Sequence, residues 1–147
     1  MHNLAIALQC NHHTVTGSDD EIYDPARSRL LARGLLPPQL GWHPDRIHPE
    51  LDVVILGMHA RPDNPELARA RRLGIRICSY PEFLYDKARQ QQRLVVAGSH
   101  GKTTTTAMIL HALREQQRSF DYLVGAQLEG FDNMVQLSAA PQIVIEG

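Results

Sequence analysis

Apolar residues recur along the chain at two different periods, and the two alternate. Segments with the 3.6-residue spacing of a helix face, such as residues 2–12, are separated by short β-branched runs such as DVVILG at 52–57. That alternation marks βαβ units around a parallel sheet, so the pattern predicts an α/β chain. After the first helix, HTVTGSD (13–19) reads as a strand with its loop. Asp24-Pro25 reads as the cap and first residue of a helix that ends at Gly34. DVVILG has almost no polar residue, which predicts a strand covered on both faces.

The next helix is well punctuated. Asn64 suits its cap, Pro65 and Glu66 its first turn, and Arg71, Arg72 and Gly74 its end. IRICSY (75–80) then predicts a strand, and Ser79 before Pro81-Glu82 predicts a helix running to about Gln91. The polar stretch DKARQQQR (86–93) is the candidate domain boundary, dividing residues 1–91 from 92–147. Beyond it follow a buried strand RLVVAG (93–98), a helix from about Lys102 to Gln117, and a strand at DYLVG. A loop with Gly125, Gly130 and Asp132 leads to a last strand, QIVIEG (142–147). Doubly wound domains ordinarily open with a strand and a glycine-rich turn, whereas this chain opens on a helix. The pattern therefore predicts a Rossmann-like domain with its first strand missing, followed by the start of a second domain, as in a fragment of a longer protein.

Composition narrows the function classes. Lys and Arg total 15 against 16 Asp and Glu, a formal charge of -1, so no net basic field exists to hold nucleic acid or an anionic membrane. No apolar run approaches the roughly 20 residues needed to span a bilayer, and the first residues lack a signal-peptide pattern, which reads as a cytoplasmic protein. The two cysteines, Cys10 and Cys78, lie in apolar segments and read as reduced, buried thiols. Cys10, His12 and His13 are close in sequence, but a closed zinc site needs four ligands and no second pair follows. The loop around Trp42 reads as packed.

The chemistry concentrates in RLVVAGSHGKTTTTAMILHAL, where a strand runs into Gly98-Ser99-His100-Gly101-Lys102-Thr103 and then into a helix. Strand, glycine loop and helix together form a phosphate cradle: backbone N–H groups turn inward, and glycines permit the positive φ or close approach that this requires. Lys102 adds a charge for the β- and γ-phosphates, the Thr103 hydroxyl suits Mg²⁺, and Thr104 offers a further contact. The loop is two residues shorter than G-x-x-x-x-G-K-[ST], with Val96 where a glycine would stand. Ser99 and His100 belong to the loop, and His100 has a plain reading as a solvated imidazole. Glu146 ends an apolar strand, the place where such sheets hold an acidic Mg²⁺ ligand, although an exposed strand-end acid is the simpler alternative. These residues predict ATP and Mg²⁺ as cofactors, with Lys102, Thr103 and Glu146 carrying the chemistry and Thr103 and Glu146 the metal.

GSHGKTTTT after a strand, DNPEL upstream and a strand ending in Glu downstream resemble the Mur ligases, whose phosphate loop has this shortened form. The resemblance implies an amino-terminal UDP-sugar domain and the beginning of a central ATPase domain. Within the family, MHNLAIAL, GSDDEIYDP, ILGMHARPDNPEL, SYPEFLYDKA and GAQLEGFDNMV are most similar to the muropeptide ligases. Those enzymes join UDP-N-acetylmuramate to the murein tripeptide L-Ala-γ-D-Glu-meso-diaminopimelate. The branch that adds L-alanine is the alternative, and usually has a serine pair where Met58-His59 stand here. The family pattern implies UDP-sugar contacts at Ser18, Asp19, His59, Ala60, Arg61 and Asn64, with Asp19 for a ribose hydroxyl and Arg61 for the diphosphate; the plain alternatives are Asp19 and Asp20 as turn residues, Arg61 as a solvated charge and Asn64 as a helix cap only. Two other classes compete. A phosphate-loop kinase or small NTPase would place the loop near the start of its own complete fold, and a non-catalytic UDP-sugar-binding module would not need Lys102 and Thr103.

Overall fold

A computed structural model describes residues 1–147 as a mixed α/β chain in two compact units, in agreement with the predicted class. Met1 and Thr16–Lys87 form the first unit; His2–Val15 and Ala88–Gly147 form the second. Helix α1 (His2–Cys10) thus groups with the second unit.

The first unit contains helix α2 (Ala26–Ala32), a 3-10 turn at Pro44–Arg46, strand β1 (Val53–Leu56), helix α3 (Pro65–Arg72), strand β2 (Arg76–Ser79) and helix α4 (Tyr80–Lys87). Its sheet has two strands only, β1 and β2, paired in parallel from Val53 with Arg76 to Leu56 with Ser79. Ile47, Ala70 and Ile75 form a small core, against which Leu51, Val54 and Ile77 pack. The helix starts follow from their caps. The Asn64 side chain accepts from the Glu66 and Leu67 amides at 2.8 and 3.2 Å. Ser79 and Glu82 form a reciprocal capping box, with the Ser79 amide and hydroxyl both donating to the Glu82 carboxylate at 2.7 Å.

The second unit carries a four-stranded sheet in the order β3 (Gln92–Val96), β6 (Gln142–Glu146), β4 (Asp121–Leu123), β5 (Val135–Gln136). β3, β6 and β4 run parallel, and β5 closes the far edge antiparallel to β4. Helix α5 (Lys102–Glu115) packs on this sheet through Thr106 and Leu110, spaced by four residues and both at 0% exposure. Around Leu110 gather Phe120, Tyr122, Val124, Leu128, Phe131, Met134 and Val144. α1 buries Leu4, Ile6, Ala7 and Leu8 and lies against β5, where Asn133 Nδ2 donates to the Asn3 carbonyl at 3.1 Å.

Several local expectations change. HTVTGSD forms no strand, because a strand exists only by pairing and neither β1 nor β2 offers it a ladder. β1 is half-buried along its length rather than covered. β3 is an edge strand, not a buried one: Leu94 and Val95 are 43% and 58% exposed, because only β6 flanks it. Pro25 caps α2 instead of opening it, and the Asp24 carboxylate accepts from the Ser28 amide at 3.0 Å. Cys78 is buried but Cys10, at the end of α1, is exposed. Trp42 is 38% exposed even though its loop is anchored on both sides, so the packing there comes from backbone contacts. No helix is long and apolar enough to cross a membrane.

Candidate functional site

In the second unit, β3 ends at Val96 and the chain reaches α5 through residues 97–101. Gly101 caps the helix with φ 73°, a left-handed conformation that a side chain would strain, and no side chain caps the first turn. The positive end of the α5 dipole thus opens toward the loop. Lys102 Nζ donates to the Gly98 carbonyl at 2.9 Å, which folds the charge back over the loop.

Glu146 arrives from the neighbouring strand. Parallel pairing of β3 with β6 sets Val96 beside Glu146, so the acid stands where the loop begins. Thr103 Oγ1 donates to Glu146 Oε1, and the Gly125 amide donates to Oε2 at 2.8 Å. Spacing in the sequence carries no sign of the Gly125 contact, from the loop after β4; the β4–β6 pairing brings it to Glu146. The structure therefore brings Gly98, Gly101, Lys102, Thr103 and Glu146 together. Ser99, His100 and Thr104 are exposed in the same loop and first helical turn.

This arrangement fits a nucleotide phosphate with its divalent cation. The Thr103 hydroxyl and the Glu146 carboxylate are adjacent, close enough for both oxygens to reach one hard cation. A glycine cradle, a helix start and a lysine lie within the same six residues.

In the first unit, the remaining candidate residues are differently disposed. His59, Ala60 and Arg61 are exposed in the turn after β1, where the Ala60 amide donates to Gly57 O and the Asn64 amide to Arg61 O, both at 3.2 Å. Asn64 is occupied as the cap of α3. Asp19 is exposed, its carbonyl accepting from the Gly41 amide at 2.8 Å. Partial desolvation, then the hydrogen bond with Asp20, raises its carboxyl above the ordinary aspartate range. Ser18 Oγ donates to Glu66 Oε1 at 2.8 Å and accepts a long contact from Arg46 at 3.4 Å. Glu66, His43 and Arg46 are the neighbours that sequence alone did not single out. In the sequence Glu66 is a favourable first-turn acid, and nothing in its spacing from Ser18 or His43 announces the contact.

Comparison with known proteins finds relatives and solved structures of one family. A UDP-N-acetylmuramate–L-alanine ligase of Limosilactobacillus reuteri is 37% identical over 125 residues, covering 85% of this chain and 28% of that protein. The UDP-N-acetylmuramate–L-alanyl-gamma-D-glutamyl-meso-2,6-diaminoheptandioate ligase of Haemophilus influenzae is 31% identical over 144 residues, 96% of this chain and 31% of its own. The crystal structure of a murein peptide ligase from Psychrobacter arcticus superposes with a TM-score of 0.84 at 27% identity, over 99% of this chain and 35% of that one. The chain thus spans about a third of the length of the relatives it matches. The profile described as Mur ligase family, catalytic domain matches residues 1–92, more than half of the 147, and the chain therefore belongs to the Mur ligase family.

Proposed function

We propose that the chain supplies the nucleotide phosphate site and the UDP-sugar-binding region of a cytoplasmic, ATP-dependent amide ligase. In this reading the ligase joins UDP-N-acetylmuramate to L-Ala-γ-D-Glu-meso-diaminopimelate in the reuse of peptidoglycan fragments. The observation that carries it is the Thr103 hydroxyl bound to Glu146 at the end of the adjoining strand, beside Lys102 at the helix start.

A lactyl carboxylate oxygen of the sugar attacks the γ-phosphorus of ATP; the bond to the β–γ bridging oxygen breaks, giving ADP and an acyl phosphate. The peptide amine then attacks the acyl carbon, and the adduct loses a proton and expels inorganic phosphate as the amide forms. Lys102, now held by a neutral carbonyl, is free to turn toward phosphate oxygens and offset the charge that develops on them. Thr103 and Glu146 would hold Mg²⁺, which when bound neutralises charge on the phosphates. The loop amides of residues 98–104 orient the phosphates. In the first unit, Arg61 and His59 serve the diphosphate and Asp19 a ribose hydroxyl. Ala60 gives close backbone access, while Ser18 and Asn64 act by shaping the loops that present these groups.

The peptide acceptor is supported by the similar segments at 1–8, 55–67 and 125–135 and by the superposition on the murein peptide ligase. A second reading, L-alanine as acceptor, is supported by the higher identity of the Limosilactobacillus reuteri relative. The test measures ATP consumption and product formation with UDP-N-acetylmuramate and either L-alanine or the tripeptide, for this chain and for the chain extended by flanking sequence. Tripeptide-dependent turnover supports the first reading and L-alanine dependence the second; turnover indifferent to the UDP-sugar rejects both.

A further inference from the structure

Glu66 is a carboxylate buried to 9% exposure with no basic side chain bonded to it, yet the chemistry above gives it no part. A buried acid is costly unless donors surround it, so its donors identify what it is for. One oxygen, Oε1, accepts from both Ser18 Oγ at 2.8 Å and the His43 amide at 2.7 Å. Those two donors come from separate loops, and Glu66 itself lies in the first turn of α3, where the helix dipole favours negative charge. The helix-end amides are already taken by Asn64, so the carboxylate is not needed as the cap. The same node is reached by Arg46, which touches Ser18 and donates to the Gln39 carbonyl at 3.0 Å. The Gly41 amide reaches back to Asp19 O, closing the connection between the two loops.

We propose that Glu66 is a positioning residue for the UDP-sugar: through one carboxylate oxygen it ties the loop bearing Ser18 and Asp19 to the loop 39–46. Asp19 is thereby held in place to meet a sugar hydroxyl. The inference rests on the UDP-sugar reading given above. It also accounts for the loop-shaping part of Ser18, whose hydroxyl is engaged at both ends and so acts through the placement of Asp19 and not on the ligand.

Because only Oε1 is used, Glu66→Gln keeps an acceptor where both donors need it, whereas Glu66→Ala removes it. The experiment titrates UDP-N-acetylmuramate into the chain by calorimetry, with fluorescence of the single Trp42 as a second signal from the same loop. Mg·ADP binding is titrated in parallel as a control on the second unit. We expect Glu66→Ala to weaken UDP-sugar binding about 10-fold or more, as misplacement of a contact group does, with Mg·ADP affinity unchanged and near-normal binding in Glu66→Gln. Ser18→Ala removes one donor while leaving the acid, and gives a smaller loss of the same selectivity if Glu66→Ala does not fold. Wild-type binding that both Glu66→Ala and Ser18→Ala retain overturns the positioning role alone. A wild-type chain that does not bind the UDP-sugar overturns the reading beneath it and the inference with it. Equal weakening of both ligands marks general damage and also rejects the proposal.

Discussion

The phosphate loop and the loops around Ser18 and Arg61 are assembled in opposite ways. At the phosphate loop, six consecutive residues and one strand-end acid supply the candidate groups. The strand, the left-handed Gly101 and the start of α5 dictate where Lys102 and Thr103 go, and the β3–β6 register delivers Glu146. In the first unit, the groups come from segments near 18, 43, 59 and 66, and side-chain-to-loop bonds centred on Glu66 join those near 18 and 43 to α3. A site made by backbone geometry is complete before any ligand arrives. One made by loops depends on the anchors that hold them.

The largest effect expected lies in the first kind of site. Lys102→Ala removes a charge whose one hydrogen bond is to the exposed Gly98 carbonyl, so folding should be little affected. Nucleotide affinity should fall about 10- to 100-fold, the range for losing a charge-assisted hydrogen bond. Titration of ATP with magnesium into the wild type and the variant measures this, and equal affinities would mean that the loop is a glycine turn with an ordinary surface lysine.

Glu146→Gln tests whether the adjoining strand belongs to the same site. Wild-type nucleotide binding should tighten when magnesium replaces a chelator. The variant should lose about 10-fold of that gain while its metal-free affinity stays unchanged, since the amide is a poorer ligand for a hard cation. The Thr103 contact can persist through the remaining carbonyl oxygen while the Gly125 amide loses its acceptor, so the magnesium-free measurement reads the packing cost and only the further loss with magnesium reads metal binding.

These contrasts explain which parts of the molecule were legible in the sequence. The strand, loop and helix start around residues 98–103 are legible because their backbone requirement is contiguous in the sequence. Glu146 was readable because apolar QIVI ends in an acid, which the pairing with β3 brings alongside. The caps at Asn64 and Ser79 were readable for the same local reason. HTVTGSD was misjudged because strand propensity specifies no partner, and β3 because an apolar run is equally consistent with a central strand and an edge. Cys10 was misjudged because α1 buries the stripe of Leu4, Ala7 and Leu8, and a thiol at its last residue lies beyond it. Glu66 was invisible because its partners lie 48 and 23 residues away.

The first unit can be probed at its scaffold. Asn64→Ala leaves the Glu66 and Leu67 amides without their acceptor and should cost about 1 kcal/mol, the usual penalty for losing a cap. For a unit of this size that is roughly a 4–8 °C drop in its thermal transition. Because the phosphate loop is made in the other unit, nucleotide affinity should not change. A variant that loses nucleotide binding as well would break the division into independently built sites.

The smallest effect is expected at Arg61, and it is the one that decides whether the exposed turn after β1 is functional. Its side chain is exposed, and the hydrogen bond in which the residue takes part is through its carbonyl, so Arg61→Ala should leave stability within about 0.5 kcal/mol. If the guanidinium meets a diphosphate, the same substitution weakens UDP-N-acetylmuramate several-fold. The loss should shrink as salt is raised, because an exposed charge pair is screened over about 10 Å at 0.1 M ionic strength. Uridine, which lacks the diphosphate, should then bind wild type and variant alike. An equal loss for uridine would move Arg61 from the phosphates to the nucleoside. No loss for either ligand would return the turn to the status of solvated surface and leave Asp19, with the loops that Glu66 holds, as the recognition element of the first unit.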